Sequence, residues 1–423
     1  MQVRKVALIN YRNYSQTVVE LGPGRNIVIG ENAQGKTNFL ESLEYVAHGS
    51  SWRASQDADL IKHGCDDMRL EVDYILNGVP ENIFVGMHRN TGHGAEQSKK
   101  TLEKTFKLNG LSQRSVRSVS HRLVTVSFKS YDLNLLRSGP KFRRDWIDSI
   151  LMVLRPQFKT VTANYNKVIL QRNRLLKQLF EKGRVSVSDN DQMRAWDEQA
   201  AKFGAEIIKE RIALINRLLP LAEGFQEMIS GNKEALACDY LFKNEEAKTH
   251  SASSYGDDES FDGDEPGRAE HDKVSSHELA SRPHSEVVLL LMHQLKSLRF
   301  EEIRRKQTLI GPHRDDLLFS LNDADAVHFA SQGQQRSLVL SLKLAELRLV
   351  TEFLNEPPLL LLDDVLAELD LSRQSLLMSM VARDMQTIIT TTHVSGFQPE
   401  WLEGAKFLEV VSGQIQNSDT ILC

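Results

Sequence analysis

Gly30-Glu-Asn-Ala-Gln-Gly-Lys-Thr37 is the stretch that decides the fold, because it fits the phosphate-binding pattern G-x-x-x-x-G-K-[ST]. The β-branched run Asn26–Ile29 before it predicts a strand, and apolar residues at helical spacing from Asn38 onward predict a helix after it. Strand, glycine loop and helix form the context in which this motif binds a nucleotide. We expect the loop amides and Lys36 to hold the phosphates of ATP, and the Thr37 hydroxyl to bind Mg²⁺. The predicted nucleotide-binding residues are Gly30, Glu31, Asn32, Ala33, Gln34, Gly35, Lys36 and Thr37.

A second motif, far along the chain, ends in two carboxylates. The leucines Leu359–Leu362 follow two prolines and precede Asp363 and Asp364, a pattern that predicts a strand buried on both faces. An Asp at the end of such a strand is where a P-loop protein places its Walker B ligand. We therefore expect Asp363 to bind Mg²⁺ and Asp364 to orient or deprotonate the attacking water.

Three further signals lie in order around this strand. Ser331, Gln332, Gly333 and Gln334 precede a helix predicted from Ser337 to about Asn355, and they resemble the signature motif of ABC-type ATPases. Ala367–Asp370 resembles the D-loop, with Asp370 as its acid, and His393 resembles the switch histidine after a strand. Each alone has a structural alternative, such as a helix cap at Ser331. Their common order favours an α/β, ABC-type ATPase head.

Composition limits the functional classes. The 423 residues predict two or three domains, and no run of 18 apolar residues predicts a membrane span. The first residues run directly into a strand pattern and do not resemble a signal peptide. Cys65, Cys238 and Cys423 have neither metal-site nor disulfide spacing, which favours a cytoplasmic protein.

The order of patterns predicts a head that is split in sequence, with a helical lobe inserted between its halves. We assign 1–135 and 301–423 to the ATPase head and 136–300 to the lobe. Within the lobe, residues 243–285 carry eleven Asp/Glu against five Lys/Arg and almost no apolar residues, which predicts a disordered insertion. One lobe helix is predicted from Asp189 to Pro220. Helices of 20 to 35 residues are expected, too short for the long coiled coil of SMC proteins.

Basic residues cluster outside the nucleotide site. A solvated surface and contact with a phosphate backbone both explain such clusters, and the sequence leaves both open. No helix-turn-helix or zinc-finger pattern is present, so any DNA binding should be independent of sequence. The candidate DNA contacts are Arg137, Lys141, Arg143, Arg144, Lys99 and Lys100.

Seven motifs together resemble one known family: Tyr11–Tyr14, Gly30–Asn38, Trp52–Ser55, Gly139–Asp148, Thr308–Leu317, Ser331–Arg336 and Leu362–Asp370. Through them the chain resembles the RecF family of bacterial recombination mediators from end to end, apart from the acidic segment. The resemblance implies an SMC-like ABC ATPase head that dimerises on ATP, binds DNA at gaps or junctions, and acts with RecO and RecR to load RecA. It also implies roles in replication, DNA repair and the SOS response.

Most ABC ATPases have Glu after the Walker B Asp, whereas this chain has Asp364. The shorter side chain reaches less far toward the water, which predicts slow turnover and a switch more than a motor. We expect a weak, DNA-stimulated ATPase. Two rival hypotheses are a soluble ABC subunit of a transporter and a scaffold with a vestigial ATP site. The helical lobe and the basic clusters argue against the first, and intact Lys36, Thr37, Asp363 and His393 argue against the second.

Overall fold

The computed structural model describes residues 1–90, 101–115, 119, 122–242, 276–381 and 384–418. The chain divides into two compact units: unit 1 is Met1–Asp132 with Lys343–Cys423, and unit 2 is Leu133–Leu342. The second boundary therefore lies at 342/343, later than the 300/301 boundary drawn from sequence, and Ser331 belongs to unit 2. The assignment of these parts as ATPase head and lobe stays a prediction.

Strands and helices alternate irregularly along the chain. The strands are β1 (Gln2–Tyr11), β2 (Tyr14–Glu20), β3 (Arg25–Ile29), β4 (Asp67–Leu76), β5 (Val79–Asn90), β6 (Thr101–Leu108), β7 (Leu111–Gln113), β8 (Thr125–Lys129), β9 (Leu236–Leu241), β10 (Asp316–Leu321), β11 (Ala324–Asp325), β12 (Leu359–Asp363), β13 (Thr387–Thr391), β14 (Lys406–Val411) and β15 (Gln414–Asn417). The helices are α1 (Lys36–His48), α2 (Asn134–Arg137), α3 (Pro140–Leu154), α4 (Phe158–Lys182), α5 (Val187–Ser230), α6 (Ser276–Ser281), α7 (His284–Ser297), α8 (Arg299–Arg305), α9 (Ala326–Phe329), α10 (Gln332–Leu354), α11 (Leu371–Met380) and α12 (Pro399–Leu402). Short 3-10 helices also cover Asp57–Leu60, Ser130–Leu133 and Leu366–Glu368.

A sheet in unit 1 positions the predicted nucleotide motifs. Its order is β15-β14-β3-β13-β12-β8, and all neighbours pair in parallel except β15 with β14. Every residue of β12 is buried, which confirms the strand predicted from the leucine run. Since β3 and β13 end beside β12, the loop after Ile29 and the carboxylate of Asp363 lie at the same edge of the sheet, where open parallel sheets bind ligands.

A second sheet of unit 1 is antiparallel, in the order β2-β1-β4-β5-β6-β7. All four residues of the two-residue turns Asn77-Gly78 and Asn109-Gly110 have positive φ values, as the Asn-Gly hairpin turn requires. Apolar residues of this sheet, of α1 and of the parallel sheet share one buried core, which includes Val6, Phe39 and Leu361. The P-loop helix α1 is thereby held rigidly behind its loop.

Unit 2 contains the helices α3 to α5 and a small antiparallel sheet, β11-β10-β9. The predicted end of a helix at Pro220 is wrong, because α5 runs for 44 residues with Pro220 inside it. Leu218, Ala222 and Phe225 are buried on either side of the proline, and this packing outweighs a cost of about 3 kcal/mol. At about 66 Å, α5 exceeds the expected helix lengths. Among the described residues, no helix is both long and apolar enough to cross a membrane.

The predicted disordered insertion 243–285 ends too late. Residues 243–275 lie outside the described part, but Ser276–Ser281 forms α6 and α7 begins at His284. Leu279 is completely buried. The Lys209 ammonium donates to the carbonyl oxygens of Ala280 and Arg282, both at 2.7 Å, which stabilises the C-terminal end of α6.

Candidate nucleotide-binding site

The glycine loop begins where β3 ends and closes at the first residue of α1. Gly35 has a φ of +124°, and a Cβ added there would lie 2.6 Å from Nδ2 of Asn13. A Cβ on Gly30 would lie 2.6 Å from the carbonyl oxygen of Val410. Neither position has space for a side chain, so both glycines of the motif are required by the packing around the loop.

Two neighbouring turns support this loop. Asn13, in the β1–β2 turn, donates from Nδ2 to the carbonyl oxygen of Gln34 at 2.7 Å, and Tyr14 donates from its hydroxyl to the carbonyl oxygen of Gly35 at 2.9 Å. The amide of Gly413, in the β14–β15 turn, also donates to the carbonyl oxygen of Gln34. These bonds occupy outward carbonyls of the loop, and Ala33 at its tip adopts a positive φ of 64°. The loop is therefore preorganised as a phosphate cradle.

Lys36 and Thr37 stand at the first turn of α1. The Lys36 ammonium is buried and donates to the carbonyl oxygens of Gly30 at 2.8 Å and Glu31 at 3.1 Å, so it lies across the loop. The Thr37 hydroxyl lies 3.1 Å from Oδ1 of Asp363. The structure thus brings together the two motifs that are 326 residues apart in sequence.

The Asp363 carboxylate is fixed by two hydroxyl groups. Thr390, at the end of β13, donates to the same Oδ1 at 2.7 Å. Burial raises the pKa of Asp363, and the bonds from Thr390 and Thr37 oppose that shift. A hydroxyl and a carboxylate oxygen side by side are hard donors of the type that Mg²⁺ prefers, so Thr37 and Asp363 fit the predicted metal site.

Asp364 adopts the left-handed conformation, with a φ of 56°. Its amide donates to the carbonyl and hydroxyl oxygens of Thr390, both at 3.1 Å, which fixes this unusual backbone. Burial raises the pKa of its carboxyl group, and the charge of Lys36 opposes the rise. A carboxylate with a raised pKa is a better proton acceptor than a solvated one, as a general base requires. His393 is exposed two residues after β13, with Nδ1 3.3 Å from the Ser395 hydroxyl.

A largely buried ion pair that sequence reasoning missed lies next to the predicted metal ligands. Lys129, the register partner of Asp363, binds the Glu44 carboxylate at 2.6 Å, and its ammonium lies 4.3 Å from the centre of the Trp52 ring. The Trp52 indole also donates to Glu44 at 2.7 Å. The charge of Lys129 lowers the pKa of Glu44 against the effect of burial. Lys129 therefore neutralises the charge of Glu44, an α1 carboxylate that lies near Asp363.

The signature residues begin α10, five residues before the predicted start of that helix. Ser331, Gln332 and Gly333 are exposed, and Gln334 is half-buried. The Gln334 amide donates to the Ser331 hydroxyl at 3.3 Å, while the Ser331 amide donates to Oε1 of Gln334 at 2.8 Å. Ser331 therefore acts as a helix cap, and its exposure leaves it accessible to another molecule. Asp370, the D-loop acid, caps α11 and accepts a bond from the amide of Arg373 at 3.0 Å.

The candidate DNA contacts differ in how exposed their side chains are. Arg143 is buried, binds both oxygens of Asp316 at 2.7 Å and donates to two backbone carbonyls, so its assignment as a DNA contact is wrong. Arg144 is half-buried and donates to the carbonyl oxygen of Asp315, and burial lowers its pKa. Arg137 and Lys141 are exposed, although Lys141 pairs with Asp145. Lys99 and Lys100 lie outside the described residues.

Comparisons with known proteins agree with this geometry. The model of the RecF/RecN/SMC N-terminal domain family matches residues 2–411. A DNA replication and repair protein RecF from Thermosynechococcus vestitus is 36% identical over 99% of this chain and 98% of its own length. The chain belongs to the RecF family. A second RecF, from a Cyanothece species, is 34% identical over 99% of both chains.

Solved structures support the same fold. The ATP complex of the recombination mediator RecF has a TM-score of 0.80 and 26% identity, and covers 99% of this chain and 97% of its own. An SMC head bound to the winged-helix domain of ScpA is similar in fold, with a TM-score of 0.50 at 12% identity. The predicted ABC-type ATPase fold is confirmed. The transporter-subunit hypothesis is not favoured, because full-length relatives are RecF proteins.

The RecF family motif Thr308–Leu317 lies in unit 2, whereas the glycine loop and Asp363 lie in unit 1. Arginine side chains from the unit 2 helices bind it along its length. Arg143 binds Asp316, Arg144 binds the Asp315 carbonyl, Arg172 binds the Thr308 hydroxyl and Arg211 binds the Pro312 carbonyl. The basic residues that suggested DNA binding in the sequence are therefore in part the structural ligands of this motif.

Proposed function

We propose that this RecF family member is an ATP-switched DNA-binding protein that mediates recombinational repair. The observation that carries the proposal is the complete site around Gly35, in which a buttressed phosphate cradle, a buried lysine and a fixed Walker B carboxylate converge. The ATP complex of a RecF of the same fold supports ATP as the nucleotide. Names of the relatives support a role in DNA replication and repair.

Each site residue has a physical role in this proposal. Lys36 would leave the loop carbonyls to bind the β- and γ-phosphates, and the loop amides would hold the remaining oxygens. Thr37 and Asp363 would hold Mg²⁺, which supplies charge neutralisation when it is bound. Asp364 would orient the attacking water and accept its proton, while His393 would sense the γ-phosphate from the end of β13.

We propose that a second copy of the chain completes the site, and the exposure of the signature residues supports this proposal. Ser331 would close on the γ-phosphate of the partner copy's nucleotide, so that ATP joins two chains and hydrolysis releases them. Asp370 would lie in the same interface. Because Asp364 is shorter than the Glu of most ABC ATPases, we expect slow turnover. We further propose that bound DNA stimulates it.

The partners proposed for this chain follow from its relatives. A similar solved protein is described as a recombination mediator in the RecFOR pathway. We propose that this chain likewise acts with RecO and RecR to load RecA at gapped or junction DNA, in the cytoplasm. The DNA contact would be independent of sequence, since phosphate contacts position a protein but carry no base information.

Fluorescence anisotropy with labelled gapped duplex DNA tests this function. The wild-type chain should bind with ATP and Mg²⁺ and much more weakly with ADP or without nucleotide. Lys36→Met should remove the ATP response, since the cation on the β/γ-phosphates is lost. Lys5→Met, at an exposed position of β1 outside the cradle, is a matched control and should retain the response. If the wild-type chain binds DNA equally well with and without ATP, the proposed ATP switch is wrong.

A further inference from the structure

The solvent-facing side of α4 in unit 2 carries positive charge that no acidic residue on that helix balances before Glu181. From Lys159 to Phe180 the helix contains five Lys/Arg and no Asp/Glu. Arg172 is removed from the surface, because it is completely buried and bound to Asp197 and Glu302. Lys167, Arg174 and Lys177 remain exposed.

The spacing of these residues places them along one side of the helix. Lys167 and Arg174 are separated by seven residues, or nearly two turns, so their side chains emerge from the same face about 10 Å apart. Neither makes an ion pair with any residue in the part of the chain that the structure describes. Lys177 lies next to Arg174 and only 3.9 Å from Glu181. The other polar residues exposed on this helix segment are neutral: Thr160, Asn166, Gln171 and Gln178.

A loop from a distant part of the sequence extends this surface. Thr308 is bound through its amide and hydroxyl to Oδ1 of Asn173 on α4, both at 2.7 Å. Just before it, the Lys306 ammonium lies 4.0 Å from the centre of the Phe180 ring. Just after it, Arg314 binds Oε1 of Gln307 at 3.0 Å and the carbonyl of Thr308. Two segments separated by 135 residues thus meet on α4, and Lys306 adds a cation at the C-terminal end of this helix.

We propose that this surface, Lys167, Arg174 and Lys177 on α4 with Lys306 on the adjoining loop, binds the phosphate backbone of DNA. The inference rests on the proposed DNA-binding function and names the surface that performs it. Lysine, arginine and neutral amide side chains are the groups that contact phosphate and sugar in protein–DNA complexes. Cations that neutralise phosphates release counterions from DNA, which is the source of non-specific affinity. Lys167, Arg174 and Lys306 make no ion pair within the described residues, whereas Lys177 has only the exposed pair with Glu181 at 3.9 Å.

This surface replaces the α3 region, centred on Arg143 and Arg144, as the DNA contact. Arg143 forms an ion pair with Asp316, whereas Lys167 and Arg174 have no ion-pair partner among the described residues. A surface built on a helix and braced by Asn173 and Thr308 also holds its charges at fixed spacing. The expected contact is with the backbone of a duplex flanking a gap, not with its bases.

The double variant Lys167→Gln/Arg174→Gln tests the proposal by the salt dependence of DNA binding. Removing two phosphate contacts should lower the slope of log K against log salt by about 1.8 and weaken binding roughly 30-fold at 0.15 M salt. ATP-dependent dimerisation and basal ATPase activity should remain, because neither residue lies in the nucleotide site. Lys306→Gln alone should lower the slope by about 0.9.

The matched control is Lys202→Gln/Arg217→Gln, which removes the same charge from exposed positions on α5. Its slope and affinity should equal those of the wild type. If the α4 variant binds DNA like this control while the wild type shows ATP-dependent binding, the surface is wrong and the proposed function stands. If the wild type shows no ATP-dependent DNA binding at all, the proposed function fails and this surface with it. Restored binding by Lys167→Arg/Arg174→Lys would support a charge contact.

Discussion

Replacing His313 by Asn should change the pH dependence of folding in unit 2 in a direction that the structure fixes. The ring lies within the family motif Thr308–Leu317, with Nδ1 2.7 Å from the Tyr165 hydroxyl and Nε2 3.3 Å from the carbonyl oxygen of Thr308. These contacts suit a neutral ring that accepts at Nδ1 and donates at Nε2. Burial accordingly lowers the pKa of His313 from 6.5 to about 4.

A lowered histidine pKa means that the unfolded chain binds a proton before the folded chain does. The contribution of His313 to the free energy of unfolding is therefore fully present above pH 6.5 and is lost as the pH falls toward 4. For His313 the loss between pH 7 and pH 4.5 is about 2.5 kcal/mol. The Asn side chain keeps an acceptor for Tyr165 but loses the bond to Thr308, which costs about 1 kcal/mol at pH 7. The variant should thus be less stable than the wild type at pH 7 and more stable at pH 4.5.

Hydrogen exchange of α4 and α5 amides, corrected for intrinsic rates at each pH, measures this crossover. His63→Asn at an exposed position controls for the loss of one histidine. Parallel pH dependence in the wild type and His313→Asn would refute the reasoning, since it would mean that the pKa of the ring is the same in the folded and unfolded chain. Destabilisation of the variant by the same amount at both pH values would lead to the same conclusion.

Three further variants test the nucleotide site. Gly35→Ala should abolish ATP binding in an equilibrium titration, because the added Cβ would lie 2.6 Å from Asn13. The control variant Gly24→Ala should bind ATP normally, because a Cβ at this position has no neighbour within 4 Å. Asn13→Ala should weaken ATP binding about tenfold by releasing the Gln34 carbonyl, and unchanged affinity would show that the cradle needs no support from the β1–β2 turn. Asp364→Asn should retain ATP binding and accumulate a dimer while hydrolysis slows roughly 100-fold or more; a wild-type rate in a phosphate-release assay would exclude Asp364 as the base.

The elements that could be predicted from the sequence are those with local patterns. The motif of the glycine loop predicts the strand before it and the helix after it. The leucine run before Asp363 predicts a buried strand from its composition. Both predictions are confirmed by β3, α1 and β12. The turn at Asn77-Gly78 was predictable for the same reason, since its geometry depends on its two residues.

The features that could not be predicted depend on contacts between residues that are distant in sequence. Arg143 was assigned to DNA because its sequence neighbours are basic, but its partner Asp316 is 173 residues away. The support of the loop by Asn13 arises only when the β1–β2 turn folds against it. Pro220 shows the same limit, because packing on both sides outweighs a strong local signal to end the helix.

The central claim is that two copies of the chain share each ATP site, and mixing two inactive variants tests it most directly. Lys36→Met removes the phosphate contact and leaves Ser331 intact, whereas Ser331→Arg blocks the interface and leaves the cradle intact. In a mixed dimer one site carries both defects and the other carries neither. Phosphate release by an equimolar mixture should therefore rise to about a quarter of the wild-type rate if the chains pair at random, and toward about half if only mixed dimers form, while each variant alone stays inactive. A mixture no more active than either variant would contradict the shared site.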